Sequence, residues 1–181
     1  KEPLLKWMDT IVPGLALAQA VGRWGNYINQ ELYGKPTNLP WAIYIEPRFR
    51  LPGYEMADLF HPTFFYESMW NLATALVLVY VIWRYRGRLI PGLTTSVYFI
   101  SYSVIRFLLE FIRLDAASVG PVAIAQIVAL VIIAAFAIFL AYQVNKYKGG
   151  GFPPREDEGA AQSEEGSSPE AEASPDASTA G

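Results

Sequence analysis

Charged side chains stand inside apolar stretches of this sequence, and their spacing points to one kind of chemistry. Arg106, Glu110 and Arg113 lie at i, i+4 and i+7 within an otherwise apolar run. At about 100° per residue these positions share one helix face. A second polar stripe occurs in Gly22-Arg23-Trp24-Gly25-Asn26-Tyr27-Ile28-Asn29-Gln30-Glu31-Leu32-Tyr33-Gly34, where Arg23, Asn26 and Gln30 share a face. Gly22 and Gly25 permit close approach of another backbone or a ligand, and Gly34 before Lys35-Pro36 reads as the helix stop. A third element, His61-Pro62-Thr63-Phe64-Phe65-Tyr66-Glu67, opens a further apolar run. It puts His61 at a helix N-cap and Pro62 at the first helical position. Tyr66 and Glu67 follow one turn in, where the helix dipole favours a carboxylate that can steady an arginine across a cavity.

An arginine or glutamate inside a membrane costs about 2.5–3.5 kcal/mol on insertion scales. Such residues persist where they face one another or a polar cavity. Arginine's planar fork of donors binds phosphate bidentately and stays charged at any working pH. With Glu110 as the carboxylate of its own stripe, the two stripes carry net positive charge, which fits one shared anionic ligand. The alternative is an interhelical salt-bridge cluster that only holds helices together. His61, the single histidine, equally suits a residue that ends a loop, and spacing assigns neither Tyr66 nor Glu67 a catalytic role. The chain has no cysteine, which excludes a thiol nucleophile, a disulfide framework or a Cys-based metal site within it.

The elements that must position these residues read as membrane spans. Hydrophobic residues make up 52% of the 181 and charged ones 17%, but the charges are unevenly placed. Residues 149–181 hold eight acidic side chains against one basic, Arg155. Rich in Ala, Ser, Pro and Gly, that segment reads as a disordered acidic tail. The remaining 148 residues hold thirteen Lys and Arg against nine Asp and Glu. Within them four segments are long and apolar enough to cross a bilayer, near residues 10–28, 64–83, 89–112 and 119–142, given that about 20 residues span the hydrocarbon layer. The last is the strongest, with no charge and Gln126 as its main polar group. Core helices of a soluble protein are the alternative for the weaker three.

If all four cross, Lys1, Lys6, Arg84, Arg86, Arg88, Lys146, Lys148 and Arg155 fall on one side. By the positive-inside rule that side is cytoplasmic, so both chain ends lie inside. Residues 30–60 then form an extracytoplasmic cap. Its Trp41-Ala42-Ile43-Tyr44-Ile45 run suits a short strand. Pro36, Pro40, Pro47 and Pro52 exclude a long helix, and Trp41, Tyr44 and Tyr54 are expected near headgroup level. The fold class expected is all-α integral membrane: four transmembrane helices of a larger bundle, a small partly β cap and a disordered tail. Residues 1–148 form the membrane-embedded region. The start at Lys1, with no signal-like apolar core behind it, suggests that earlier segments belong to the protein.

At these three elements the sequence resembles the bacterial prolipoprotein diacylglyceryl transferases. Gly22 to Gly34 match the family signature G-R-x-G-N-[FY]-x-N-x-E-x-[FY]-G throughout; His61–Glu67 match H-P-[ST]-x-x-Y-E, and Arg106–Arg113 match R-F-x-x-E-[FY]-x-R. The resemblance implies an enzyme of the bacterial plasma (inner) membrane with its active site toward the extracytoplasmic side. It implies transfer of the diacylglyceryl group of phosphatidylglycerol to the lipobox cysteine of a preprolipoprotein signal peptide. Arg23 and Arg106 are then the catalytic clamp on the phosphate. Asn26, Glu31, Gly34, His61, Tyr66, Glu67, Glu110 and Arg113, with Arg23, would line the substrate site. No metal, organic cofactor or nucleic-acid partner is expected. The family's His-Gly-Gly element, a proposed base, does not occur in this chain, so the chain by itself is expected to be inactive. Arginine-lined lipid transporters or flippases form the alternative class, although no internal repeat supports them.

Overall fold

The computed structural model describes residues 4–85, 89–114, 118–119 and 122–150. Four helices dominate: α1 (Leu4–Ile28), α2 (Thr63–Arg84), α3 (Leu93–Leu109) and α4 (Ile124–Gly150). Between α1 and α2 lies the expected cap, with β1 (Ile43–Tyr44), a 3-10 turn at Pro47–Phe49 and β2 (Leu59–Phe60). A second hairpin, β3 (Ser118–Val119) and β4 (Val122–Ala123), precedes α4. The expected disordered tail and the loop arginines Arg86 and Arg88 lie outside the described residues, apart from Gly149 and Gly150, which continue α4.

Two helices, Thr63–Arg84 and the Ile124–Lys148 part of α4, are long and apolar enough to cross a membrane. α4 exposes Ile127, Leu130, Val131, Ile138 and Tyr142, and α2 exposes Leu76, Val77, Val79 and Trp83. A helix apolar on all sides, with large hydrophobics bare, is what a lipid-facing span requires. α3 is apolar but has only 17 residues. It is shorter than the span expected at 89–112 because its start is set by Gly92, whose φ of 87° only glycine adopts readily. The expected start of the last span at residue 119 is likewise corrected. Val119 pairs with Val122 in the β3–β4 hairpin, so the apolar run begins as strand and becomes helix at Ile124. α1 begins earlier than residue 10, at Leu4, and carries Pro13 within it.

Apolar contacts and polar ties together hold the helices. Val12 and Ala16 of α1, Ala75 and Leu78 of α2, and Tyr98 of α3 form a shared core. Asp9 of α1 caps the start of α3, accepting from Gly92 N at 2.6 Å, Thr95 N at 2.8 Å and Thr95 Oγ1 at 2.7 Å. A carboxylate on exposed helix amides satisfies orphan donors and the dipole together. Gln143 of α4 donates to the Pro91 carbonyl at 2.8 Å, tying the last helix to the same turn.

The cap has its own small core of Tyr33, Ile45 and Phe60, with Leu51, Ala57 and Leu114 packed on it. β1 pairs antiparallel with β2, Ile43 opposite Phe60 and Tyr44 opposite Leu59, so the strand expected near 41–45 forms over two of its residues. The Arg50 side chain, 5% exposed, staples the loop by donating to the carbonyls of Ile45 and Glu55 and to Asp58 Oδ1. Tyr33 Oη donates to the Phe49 carbonyl and accepts from Leu51 N, each at 2.7 Å. Trp41, Tyr44 and Tyr54 are exposed.

Candidate functional site

The three sequence elements meet where α1 ends, α2 begins and α3 ends. Glu67, one turn into α2, has a side chain only 3% exposed. Arg23 Nη2 of α1 reaches its Oε2 at 2.5 Å, and Arg106 Nη1 of α3 donates to its Oε1 at 3.2 Å. One carboxylate therefore holds two arginines from different helices. Arg106 Nη2 also lies 3.9 Å from Glu110 Oε2. The result is an alternating row, Arg23–Glu67–Arg106–Glu110, in which charges too costly to bury singly neutralise one another. Glu67 meets an arginine from another helix, as its place in the first turn suggested; that it meets two at once was not foreseen. Its carboxylate joins that of Glu110 in pairing with Arg23 and Arg106.

Two expected helix faces are corrected. α1 stops at Ile28, and Gln30 has φ of 52°, so Gln30 leaves the stripe of Arg23 and Asn26. Its side chain instead receives Glu46 N at 2.7 Å, anchoring the cap. α3 stops at Leu109 with Glu110 as its C-cap, so Arg113 lies beyond the helix rather than on the face of Arg106. Arg113 nevertheless lines the same cavity as Arg106 and Glu110. Asn26 and Asn29 both donate to Glu31 Oε1, at 3.0 and 3.2 Å, a separate polar group at the end of α1.

Gly34 explains how the elements are held in register. It does not end a helix. It forms an isolated antiparallel bridge with Arg113, and its N–H donates to the His61 carbonyl at 3.0 Å. The neighbouring Lys35 N–H donates to the Ile112 carbonyl at 2.7 Å. A Cβ at position 34 would meet His61 Cβ at 2.8 Å, the Ile112 carbonyl oxygen at 3.0 Å and Thr63 Cγ2 at 3.1 Å. Gly22 and Gly25, expected to admit a close neighbour, have open space around them among the described residues. Gly34→Ala is therefore expected to cost about 1–3 kcal/mol through overpacking. The full-length protein purified with this change should denature earlier in detergent than the wild type; an unchanged midpoint would remove Gly34 from this role.

His61 precedes the N-cap, which is Pro62, so the helix starts one residue later than expected. Its Nδ1 lies 3.2 Å from Tyr66 Oη, and Tyr66 Oη accepts from Trp41 Nε1 at 2.8 Å. With Trp41 donating, the tyrosine proton is free to go to His61 Nδ1. Trp41 was expected only as an interfacial aromatic; here it ties the cap to α2. Ser68 was not foreseen either: it accepts from Trp24 Nε1 at 3.2 Å and donates to the Ala20 carbonyl at 2.7 Å, locking α1 to α2 beside Arg23. A hydroxyl directly after Glu67 in an apolar helix was the available signal.

The cavity beside Arg106 has a volume of about 430 Å³. Tyr102, Ser103, Arg106, Glu110 and Arg113 form one wall, and a stripe of α4 between Ile124 and Ile132 forms the other. Charged and polar side chains on one wall and hydrocarbon on the other suit an amphiphile. No group of three or more potential metal-binding side chains occurs among the described residues.

A family model described as prolipoprotein diacylglyceryl transferase matches residues 1–142. The chain belongs to the prolipoprotein diacylglyceryl transferase family. It is 48% identical over 127 residues to the phosphatidylglycerol–prolipoprotein diacylglyceryl transferase of Gloeobacter violaceus, covering 70% of this chain and 47% of that protein. The proteins of the same name from Fervidobacterium nodosum and Synechococcus elongatus are each 44% identical, over 76% and 73% of this chain and 47% of their own lengths. The chain thus spans about half the length of these curated relatives. Arg23, Gly34, Glu67, Arg106 and Glu110 all lie within the residues that the family model matches.

Proposed function

We propose that the protein carrying this chain transfers the diacylglyceryl group of phosphatidylglycerol to the lipobox cysteine of a preprolipoprotein. The carbon–oxygen bond between glyceryl carbon and phosphate breaks, a thioether forms, and glycerol phosphate leaves. The thiol proton passes to a base that this chain does not identify. The carrying observation is the convergence of Arg23 and Arg106 on the buried Glu67, which presents two guanidiniums with fixed forks toward one region. Preorganised cations stabilise negative charge gathering on a leaving phosphate without reorganisation during the step. Glu110 and Arg113 line the cavity beside Arg106, and Asn26, Glu31, Gly34, His61, Tyr66 and Glu67 are assigned substrate-binding roles in this reading. All four helices cross the inner membrane in this reading, with the cap and the arginine row on the extracytoplasmic side and the C-terminal tail in the cytoplasm. Family membership does not favour the alternative of an anionic-lipid transporter or flippase.

The test is reconstitution of the full-length protein in phosphatidylglycerol vesicles with a lipobox peptide. The peptide should gain one diacylglyceryl mass with release of glycerol phosphate, and a peptide with serine in place of the lipobox cysteine should stay unmodified. Lipid movement between leaflets with no modified peptide would instead select the transporter. Removal of residues 149–181 is expected to leave transfer unchanged, since the arginine row is built from side chains of α1, α2 and the α3 end. A shortened protein that inserts normally yet loses transfer would overturn this.

A further inference from the structure

Along α2, successive turns of one buried face carry Glu67, Asn71 and Ala75. Glu67 belongs to the ion row, and Ala75 to the apolar core with Leu78 and Tyr98. Asn71 stands between them, 1% exposed, and belongs to neither. Other polar side chains of this helix have partners. The Ser68 hydroxyl donates to the Ala20 carbonyl at 2.7 Å, and the Thr74 hydroxyl lies 2.7 Å from Ser101 Oγ. Asn71 Nδ2 has none among the described residues. A buried amide nitrogen with unused N–H donors is costly, and it calls for an acceptor.

The matching acceptor is one turn away. Glu67 Oε2 is buried and accepts no hydrogen bond among the described residues; Arg23 Nη2, 2.5 Å away, is its ion-pair partner. Positions i and i+4 are neighbours on a helix surface. Helical side chains point back toward the N-terminus, so the Asn71 amide leans toward Glu67. Arg23 and Arg106 share that carboxylate. A phosphate that gathers charge as its carbon–oxygen bond breaks competes with Glu67 for both guanidiniums. As they turn to it, Glu67 loses counter-charge in a buried site, where an ionised carboxylate must be paired or hydrogen-bonded. A spare donor one turn along the same face offsets that loss.

We propose that Asn71 is a positioning residue for the transfer: its Nδ2 donates to Glu67 Oε2 as the arginines engage the phosphate. The carboxylate can then release its arginines without standing unpaired. Asn71 touches no substrate atom and acts through Glu67. This rests on the transferase reading for the identity of the anion; the orphan donor and acceptor on one helix face stand without it.

The test uses the full-length protein with phosphatidylglycerol and a lipobox peptide. Asn71→Leu and Asn71→Ala both remove the donor. Each should lower kcat/KM by about 10- to 100-fold, mostly in kcat, the range for a hydrogen bond to a charged group. The Asn71→Leu protein should denature in detergent no earlier than the wild type, because the group it loses is buried without a partner. Thr74→Val, which removes the hydroxyl contact with Ser101, should do the reverse, lowering the midpoint and leaving kcat near wild type. An Asn71→Leu protein that follows the Thr74→Val pattern would reduce Asn71 to a structural residue and overturn the proposal. A binding readout needs no turnover. With asparagine side chains labelled with heavy nitrogen, the Asn71 amide signal is the one missing from Asn71→Leu. It should shift on addition of phosphatidylglycerol and stay in place with uncharged diacylglycerol. Such a shift without any transfer would sink the transferase reading alone. Wild-type kcat in both Asn71 variants, or an amide signal that phosphatidylglycerol leaves unmoved, would sink the contact.

Discussion

Arg106→Ala in the full-length enzyme is expected to lower diacylglyceryl transfer by about 10²- to 10³-fold, the usual loss when one preorganised electrostatic donor is removed. Arg106 occupies the centre of the site. It donates to Glu67 at 3.2 Å, stands 3.9 Å from Glu110 and lines the α3–α4 cavity, while its side chain keeps 21% exposure. A residue serving only as bundle cement would have no reason to face a cavity. Arg106→Lys should recover only part of the rate, because a compact ammonium cannot span Glu67 and a phosphate with a planar fork. Arg23→Ala is expected to act in the same direction, since Arg23 shares the Glu67 carboxylate. The measurement is transfer to a lipobox peptide by variants of confirmed insertion and wild-type thermal stability. Transfer unaffected by either change would reduce the arginines to a structural pair.

Glu67→Ala is expected to be the most destabilising single change in the row. Removing one partner of a buried ion pair typically costs about 3–5 kcal/mol, because the remaining charge is left uncompensated. Here two guanidiniums from two helices would lose their common carboxylate and face one another. Glu67 is 2% exposed, so water cannot easily replace it. The check is denaturation of the purified protein in detergent, comparing Glu67→Ala with Arg23→Ala and with the double variant. Glu67→Ala should unfold earliest, and adding Arg23→Ala to it should cost less than Arg23→Ala costs alone. Such coupling is what a shared contact produces. A Glu67→Ala protein as stable as the wild type, or strictly additive effects, would show that the pairing carries no stability.

The two predictions separate roles that the sequence leaves merged. Arginine in a membrane segment serves structure or ligand, and residue type does not say which. Stability should report mainly on Glu67, and rate mainly on Arg106, if the carboxylate organises the cations and the cations meet the lipid.

Much of this protein is legible without coordinates because the relevant forces are local. Hydrocarbon length and charge exclusion mark α2 and α4 from composition, since a helix must satisfy its own backbone in lipid. The spacing within each element identifies Arg23, Arg106 and Glu110 as costly and therefore purposeful. Proline content and β-branched residues announce an irregular cap with a strand near Ile43 and Tyr44. What the linear order did not contain are the decisions made by contacts across tens of residues. Helix ends moved wherever a tertiary partner set them. Gly92 and Asp9 fix the start of α3, the Val119–Val122 pairing delays α4, and the Glu46–Gln30 contact accompanies a chain that has left α1. Gly34 was read as a stop but is a crossing point, because its neighbours His61 and Ile112 come from other segments. Above all, Glu67 lies 44 residues from Arg23 and 39 from Arg106 in the chain. Only packing three helices together could make it the shared counter-charge, since ion pairing depends on distance in space and is blind to separation in sequence.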